Sequence, residues 1–235
     1  MPDAVPEVHH LHRTHHVSEP RWPASLAVLV AIGLYVTLPD RLTLGPNWVF
    51  PLLAILLLAP LSFVAPHRHG QEPSWQRAIA IGLIALINAA NVGSLVLLIY
   101  ALLHGTKAEG PQLLVAAIEL WLTNVIVFAL WYWEMDRGGP GARLRSSDGS
   151  DGDDDPSFLF PQMQNPALGT TTKTGVWRPG FVDYLYVAFT NATAFSPTDT
   201  MPLTAWAKLL MTIQSLASLI TVALVGARAV NILGQ

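Results

Sequence analysis

The chain has 235 residues, 51% of them hydrophobic and 12% charged, with a net charge of −3 and a mean hydropathy of +0.41. A soluble domain carries roughly a quarter of its residues as charges, so this deficit, gathered in blocks, excludes a soluble core with a tail. Nothing in the pattern offers nucleic acid a basic stripe, and the lack of cysteine excludes disulfides and thiolate chemistry.

Residues 1–23 are polar and Pro-containing and read as a disordered tail. Its notable feature is His9, His10, His12, His15 and His16. Imidazoles spaced this way suit a divalent metal such as zinc, copper or nickel, or a sensor that gains charge near pH 6. No cysteine or carboxylate trio completes a closed site, so the competing reading is a flexible tail with incidental metal affinity.

Residues 24–135 read as a four-helix transmembrane region. Ser25 to Pro39 is apolar but short for a span, which needs about 20 residues. It resembles a signal peptide in having Arg13 and Arg21 ahead, but no small-residue cleavage site follows. It is therefore taken as a retained, short or tilted first span. Trp48 to Ala65 forms a second span, in which Pro51 and Pro60 are expected to cause kinks. Ile79 to Leu103 is the longest apolar run, with Asn88 and Asn91 on one face. Leu113 to Trp133 is a fourth span and contains Glu119 and Asn124. An acid inside a membrane is a functional-site hypothesis by default. Glu119 reads as a proton or cation site partnered by Asn88, Asn91 or Asn124, or as a protonated group hydrogen-bonded to one of them as helix glue.

Residues 136–180 read as a disordered acidic and Gly-rich linker, with its acidic run from Asp148 to Asp155. The apolar knot Phe158-Leu159-Phe160-Pro161 is expected to dock on the membrane surface. Trp22, Trp48, Trp75, Trp131, Trp133 and Trp206 fall at span ends, where an aromatic belt sits, and Trp121 is the exception near mid-span.

Residues 181–235 organise the rest. Phe181 to Ala192 is amphipathic and as a helix covers roughly 18 Å, too little for a hydrocarbon core of about 30 Å. A hydroxyl-rich turn runs from Thr193 to Thr200, and Pro202 opens a segment that can cross completely. This order predicts a re-entrant pore loop, which is tolerated at membrane depth only where protein buries it or it lines a wet cavity. On the final helix Gln214, Ser218 and Thr221 share a narrow face. They read either as a pore-lining stripe in a tetramer or as polar residues that hydrogen-bond between helices.

The stretch Tyr184 to Thr204 resembles the pore region of the potassium-channel superfamily, in which an amphipathic pore helix runs into Thr-x-Gly-Tyr-Gly-Asp, a Pro and an inner helix. Aligning Asp199 and Pro202 puts Thr193 near the filter start and Ser196-Pro197-Thr198 where that superfamily has Gly-Tyr-Gly. Trp206 to Leu210 then opens the inner helix. The span order, Phe128 to Trp133, the linker and Asp183-Tyr184-Leu185-Tyr186 together resemble a family of uncharacterised five-span bacterial membrane proteins. A potassium filter aims backbone carbonyls inward through left-handed angles that glycine permits. Ser196 and Thr198 resist those angles, and Pro197 fixes its own φ and lacks an N–H. What remains is a hydroxyl ring from Thr193, Ser196 and Thr198 with Asp199 at the mouth, weakly cation-attracting and poorly selective, or a plugged relic.

The expectation is an all-α membrane protein with about five transmembrane helices and a re-entrant half-helix before the last. It would be a homotetramer in the inner or plasma membrane that passes cations or small solutes with little selectivity. The alternatives are a non-conducting scaffold or accessory subunit, and a proton- or metal-linked transporter. Its partners are the lipid bilayer, its own copies and inorganic ions, and no cofactor or enzyme motif is present. Arg13, Arg21, Arg68, Arg77 and Arg137 fall on one side of the spans, and Arg41, Lys107 and Arg228 on the other. The positive-inside rule then predicts a cytoplasmic N-terminus.

Overall fold

A computed structural model describes residues 21–64, 74–104, 110–145, 155–165, 177–196 and 199–233. The His-rich tail, Pro197 and Thr198 lie outside these residues. The described chain is mostly helical, as expected for an all-α membrane protein. Among the described residues, three helices are long and apolar enough to cross a membrane, over Trp75–Leu103, Pro111–Gly138 and Ala205–Arg228, and two shorter apolar ones cover Trp22–Thr37 and Val49–Leu61.

In chain order α1 is Trp22–Thr37, α2 Val49–Val64, α3 Ser74–Leu103 and α4 Gly110–Met135. The buried residues of α1 are Ala24, Ala27, Val28, Ala31, Ile32 and Tyr35. That three-and-four spacing makes one face of a helix, and its alanines allow neighbouring backbones to approach closely. The helix α4 sits at the centre, packed against α1, α3 and the last two long helices. Helix ends coincide in pairs. Arg21 before α1, Leu61 near the end of α2, Ala80 near the start of α3 and Glu134 near the end of α4 line one cavity. At the other end Arg41 donates to Gln112 at 2.7 Å, which joins the α1–α2 connection to the start of α4.

The end of α4 is forced by backbone geometry. Arg137, Gly138 and Gly139 have φ of 49°, 71° and 94°, left-handed values that stop a right-handed helix. A Cβ on Gly139 would lie 3.0 Å from the Glu134 carbonyl oxygen, so this position needs glycine twice over. A short helix α5, Pro140–Arg145, follows, then the strand β1, Phe158–Leu159, and one turn, α6, Pro161–Gln164.

Within 136–180, expected as a disordered linker, the described residues 136–145, 155–165 and 177–180 are built into the fold, and the rest of the segment lies outside the described residues. Asp136 is fully buried, and its Oδ1 accepts the Ser157 N–H at 2.7 Å. The knot at Phe158 does not lie on a surface. Phe158 is fully buried, with its ring 5.1 Å from Tyr132, 6.1 Å from Tyr184 and 5.9 Å from Trp206. An aromatic side chain of this size gains far more between three helices than at an interface.

The last third contains α7, Phe181–Ala194, the strand β2, Met201–Pro202, and α8, Ala205–Leu233. β2 pairs antiparallel with β1, Phe158 opposite Pro202 and Leu159 opposite Met201, and the Leu203 N–H donates to the Ser157 carbonyl at 2.9 Å. The buried positions of α8, Ala207, Met211, Gln214, Ser218 and Thr221, again step by three and four. Its opposite side exposes Leu209, Leu216, Leu219 and Val222.

Candidate functional site

The module of α7, residues 195–200 and α8 is the candidate site, and its course follows from which residues meet. α7 starts at the C-terminal end of α4, with Phe181 edge-on to Trp133 at 6.0 Å and the Tyr184 hydroxyl donating to Asp136. It is capped there, since the Asp183 carboxylate accepts the Gly180 N–H at 2.7 Å. The 14 residues of α7 cover about 21 Å. It ends near Trp121, roughly 17 Å of helix rise from the start of α4. There Phe189 lies 6.0 Å from the Trp121 ring, and the Trp121 indole donates at 2.8 Å to Ser218, which donates at 2.6 Å to the Ala192 carbonyl.

From that depth the chain turns at Phe195, whose φ is 52°. By Met201–Pro202 it has returned to β1, beside Tyr184 and Trp206, at the level where α7 began. α8 then descends in the same direction as α7, since Gln214 meets Ala188 while Ser218 meets Ala192. The course is a short helix down, a return whose described residues 195–196 and 199–200 are neither helix nor strand, and a long helix down.

A polar network binds the three helices along this course. The Gln214 Oε1 accepts from the Tyr132 hydroxyl at 2.6 Å and from the Asn191 amide at 2.8 Å, and its Nε2 donates to the Ala188 carbonyl at 2.8 Å. The Asn191 amide also donates to the Met211 carbonyl at 3.0 Å, and Ser215 donates to the Asn191 Oδ1 at 3.1 Å. The last carbonyls of any helix lack partners within it, and burial without one is costly in lipid or protein. Ser218 supplies a partner to one of them here.

At the α4 end a second cluster holds the start of α7. Asp136 takes the Tyr184 hydroxyl and the Ser157 N–H, while the Arg143 guanidinium donates to the carbonyls of Trp133 at 2.7 Å and Asp136 at 2.9 Å. The same guanidinium lies over the Tyr184 ring, 5.4 Å from its centroid.

The residues expected at the pore and inside the spans fall in separate places. Thr193, Ser196 and Asp199 are exposed at the lower end and along the return, although the Thr193 hydroxyl donates back to the Phe189 carbonyl at 2.9 Å. Gln214, Ser218 and Thr221 are buried inside the single chain rather than on the outer face of α8, Gln214 and Ser218 against its own α4 and α7. Asn88, Asn91, Asn124 and Thr221 come together elsewhere, around a cavity between α3, α4 and α8. Glu119 is not joined to them: its Oε2 is buried without a hydrogen-bond partner among the described residues. No cluster of three or more metal-ligating side chains occurs among the described residues, and the five tail histidines fall outside them.

Sequence reasoning missed Tyr132, Asn191 and Asp136. The available signal was that a polar group inside a bundle of apolar helices needs a partner, and Asn191 and Tyr132 sit one half-helix and one helix away from Gln214.

Comparison with known proteins finds no matching family model, no matching curated protein and no matching solved structure.

Proposed function

We propose that the chain is one subunit of a symmetric membrane assembly, a homotetramer, whose residues 181–233 act as a pore-loop module. In this reading α1 and α2 enter the bilayer beside the three longer helices, giving five spans. The half-helix α7 is re-entrant, and the N-terminus is cytoplasmic. The assembly passes small cations or small solutes with little selectivity. The observation that carries the reading is the course of the module: α7 stops beside mid-length α4, the chain returns through 195–200, and α8 descends parallel to α7. Irregular backbone at such depth belongs where protein buries it or water reaches it.

The lining in this reading comes from the return segment, where Ser196 and Asp199 are exposed, and not from Gln214, Ser218 and Thr221. A second reading, a non-conducting scaffold or accessory subunit, is favoured by that same burial, which leaves the outer face of α8 apolar.

Purified protein in planar bilayers separates the two. The pore reading expects cation current that Asp199→Asn lowers and a bulky Ser196→Leu on the exposed return segment reduces, with the tetramer intact by native mass. Silent bilayers from an intact tetramer leave the scaffold, and a monomer in every detergent and in nanodiscs removes the pore, since one chain encloses no lumen.

A further inference from the structure

The cavity between α3, α4 and α8 lies apart from the return segment. It has a volume of about 50 Å³ and is lined by Asn88 and Asn91 of α3, Asn124 of α4 and Thr221 of α8, with Leu120 and Phe128 among its apolar walls. Asn91 is 5% exposed, and its Oδ1 has no hydrogen-bond partner among the described residues. The Asn124 amide is held only by a long bond of 3.5 Å to the Gln214 carbonyl. Thr221 has given its proton to the Ala217 carbonyl at 2.8 Å, so its oxygen can only accept.

We propose that this cavity is a built binding site for water inside the helix bundle. A single water needs about 10–15 Å³ of such space and two to four polar partners, and both are present. Water brings two protons, one for the Asn91 Oδ1 and one for the Thr221 oxygen, and its own oxygen accepts from the asparagine amides. An apolar occupant leaves the Asn91 oxygen unsatisfied. A bare cation meets no carboxylate in the lining, and stripping its hydration shell into neutral surroundings is expensive. The bound water ties α3 to α4 and α8 at a level where no bond among the described residues satisfies the Asn91 Oδ1. This inference stands whether or not the loop conducts.

Synchrotron hydroxyl-radical footprinting of the whole protein in nanodiscs tests it, because radiolysis of a trapped water oxidises the side chains touching it. Phe128, 2% exposed, should be oxidised, while Phe158, fully buried away from the cavity, should not. The Phe128 label should be lost in Asn91→Leu and reduced in Thr221→Val, which keeps its volume. Phe128 as unreactive as Phe158 in the wild type means a dry cavity and overturns the proposal. A wild-type melting temperature that rises in sodium chloride over choline chloride, with the rise absent from Asn91→Leu, assigns the site to a cation and overturns it equally.

Discussion

Gln214 is the residue on which the last third turns. Its side chain makes three hydrogen bonds, to Tyr132, Asn191 and Ala188, on two other helices. Hydrogen bonds between helices in a membrane contribute about 0.6 kcal/mol each on average. Gln214→Leu should therefore lower stability by about 2 kcal/mol, against roughly a third of that for Tyr132→Phe. Titrating unfolding with SDS measures both, and a Gln214→Leu protein as stable as wild type shows that the network does not hold α7. The sequence places Gln214, Ser218 and Thr221 on one face, and that geometry holds. It does not say which way the face points, because a polar stripe in lipid suits a pore or a neighbouring helix equally well. The partners decide, and they lie 82 and 23 residues away.

At the scale of elements, the helices were legible because long apolar runs end at charges, prolines and tryptophans. The short helix α7 was legible too, as an amphipathic stretch before a hydroxyl-rich turn. The linker was not. A segment rich in Gly, Pro and Asp has the composition of disorder, and nothing local announces that Asp136 and Phe158 are anchors. Asp136 needs Tyr184, and Phe158 needs Tyr132, Tyr184 and Trp206, all distant in sequence. Phe158→Ala should cost about 3–5 kcal/mol, the range for emptying a buried aromatic site, seen as a lower thermal midpoint. A knot resting on a surface would be nearly indifferent to the change. The β1–β2 pairing was likewise invisible, since two residues per strand carry no alternation to read.

For the whole molecule, the central question is where the return segment lies relative to lipid. The natural absence of cysteine makes this simple to measure, because single cysteines can be introduced without a background. Cysteine at Ser196 should react with a small, charged, membrane-impermeant thiol reagent from one side only, the side from which α7 enters. Cysteine at Leu216, 54% exposed on the outer face of α8, should resist it as a lipid-facing position. Equal labelling of Ser196→Cys from both sides, or none at all, removes the re-entrant loop. Arg21, Arg77 and Glu134 gather at one end of the bundle, Arg77 4.0 Å from Glu134.

The parallel descent of α7 and α8 has an electrical consequence. Peptide dipoles add along a helix, so the C-terminal end of α7 carries about half an elementary negative charge, and that end sits beside the middle of α4. Because this charge comes from the backbone, it does not titrate away as acid is added.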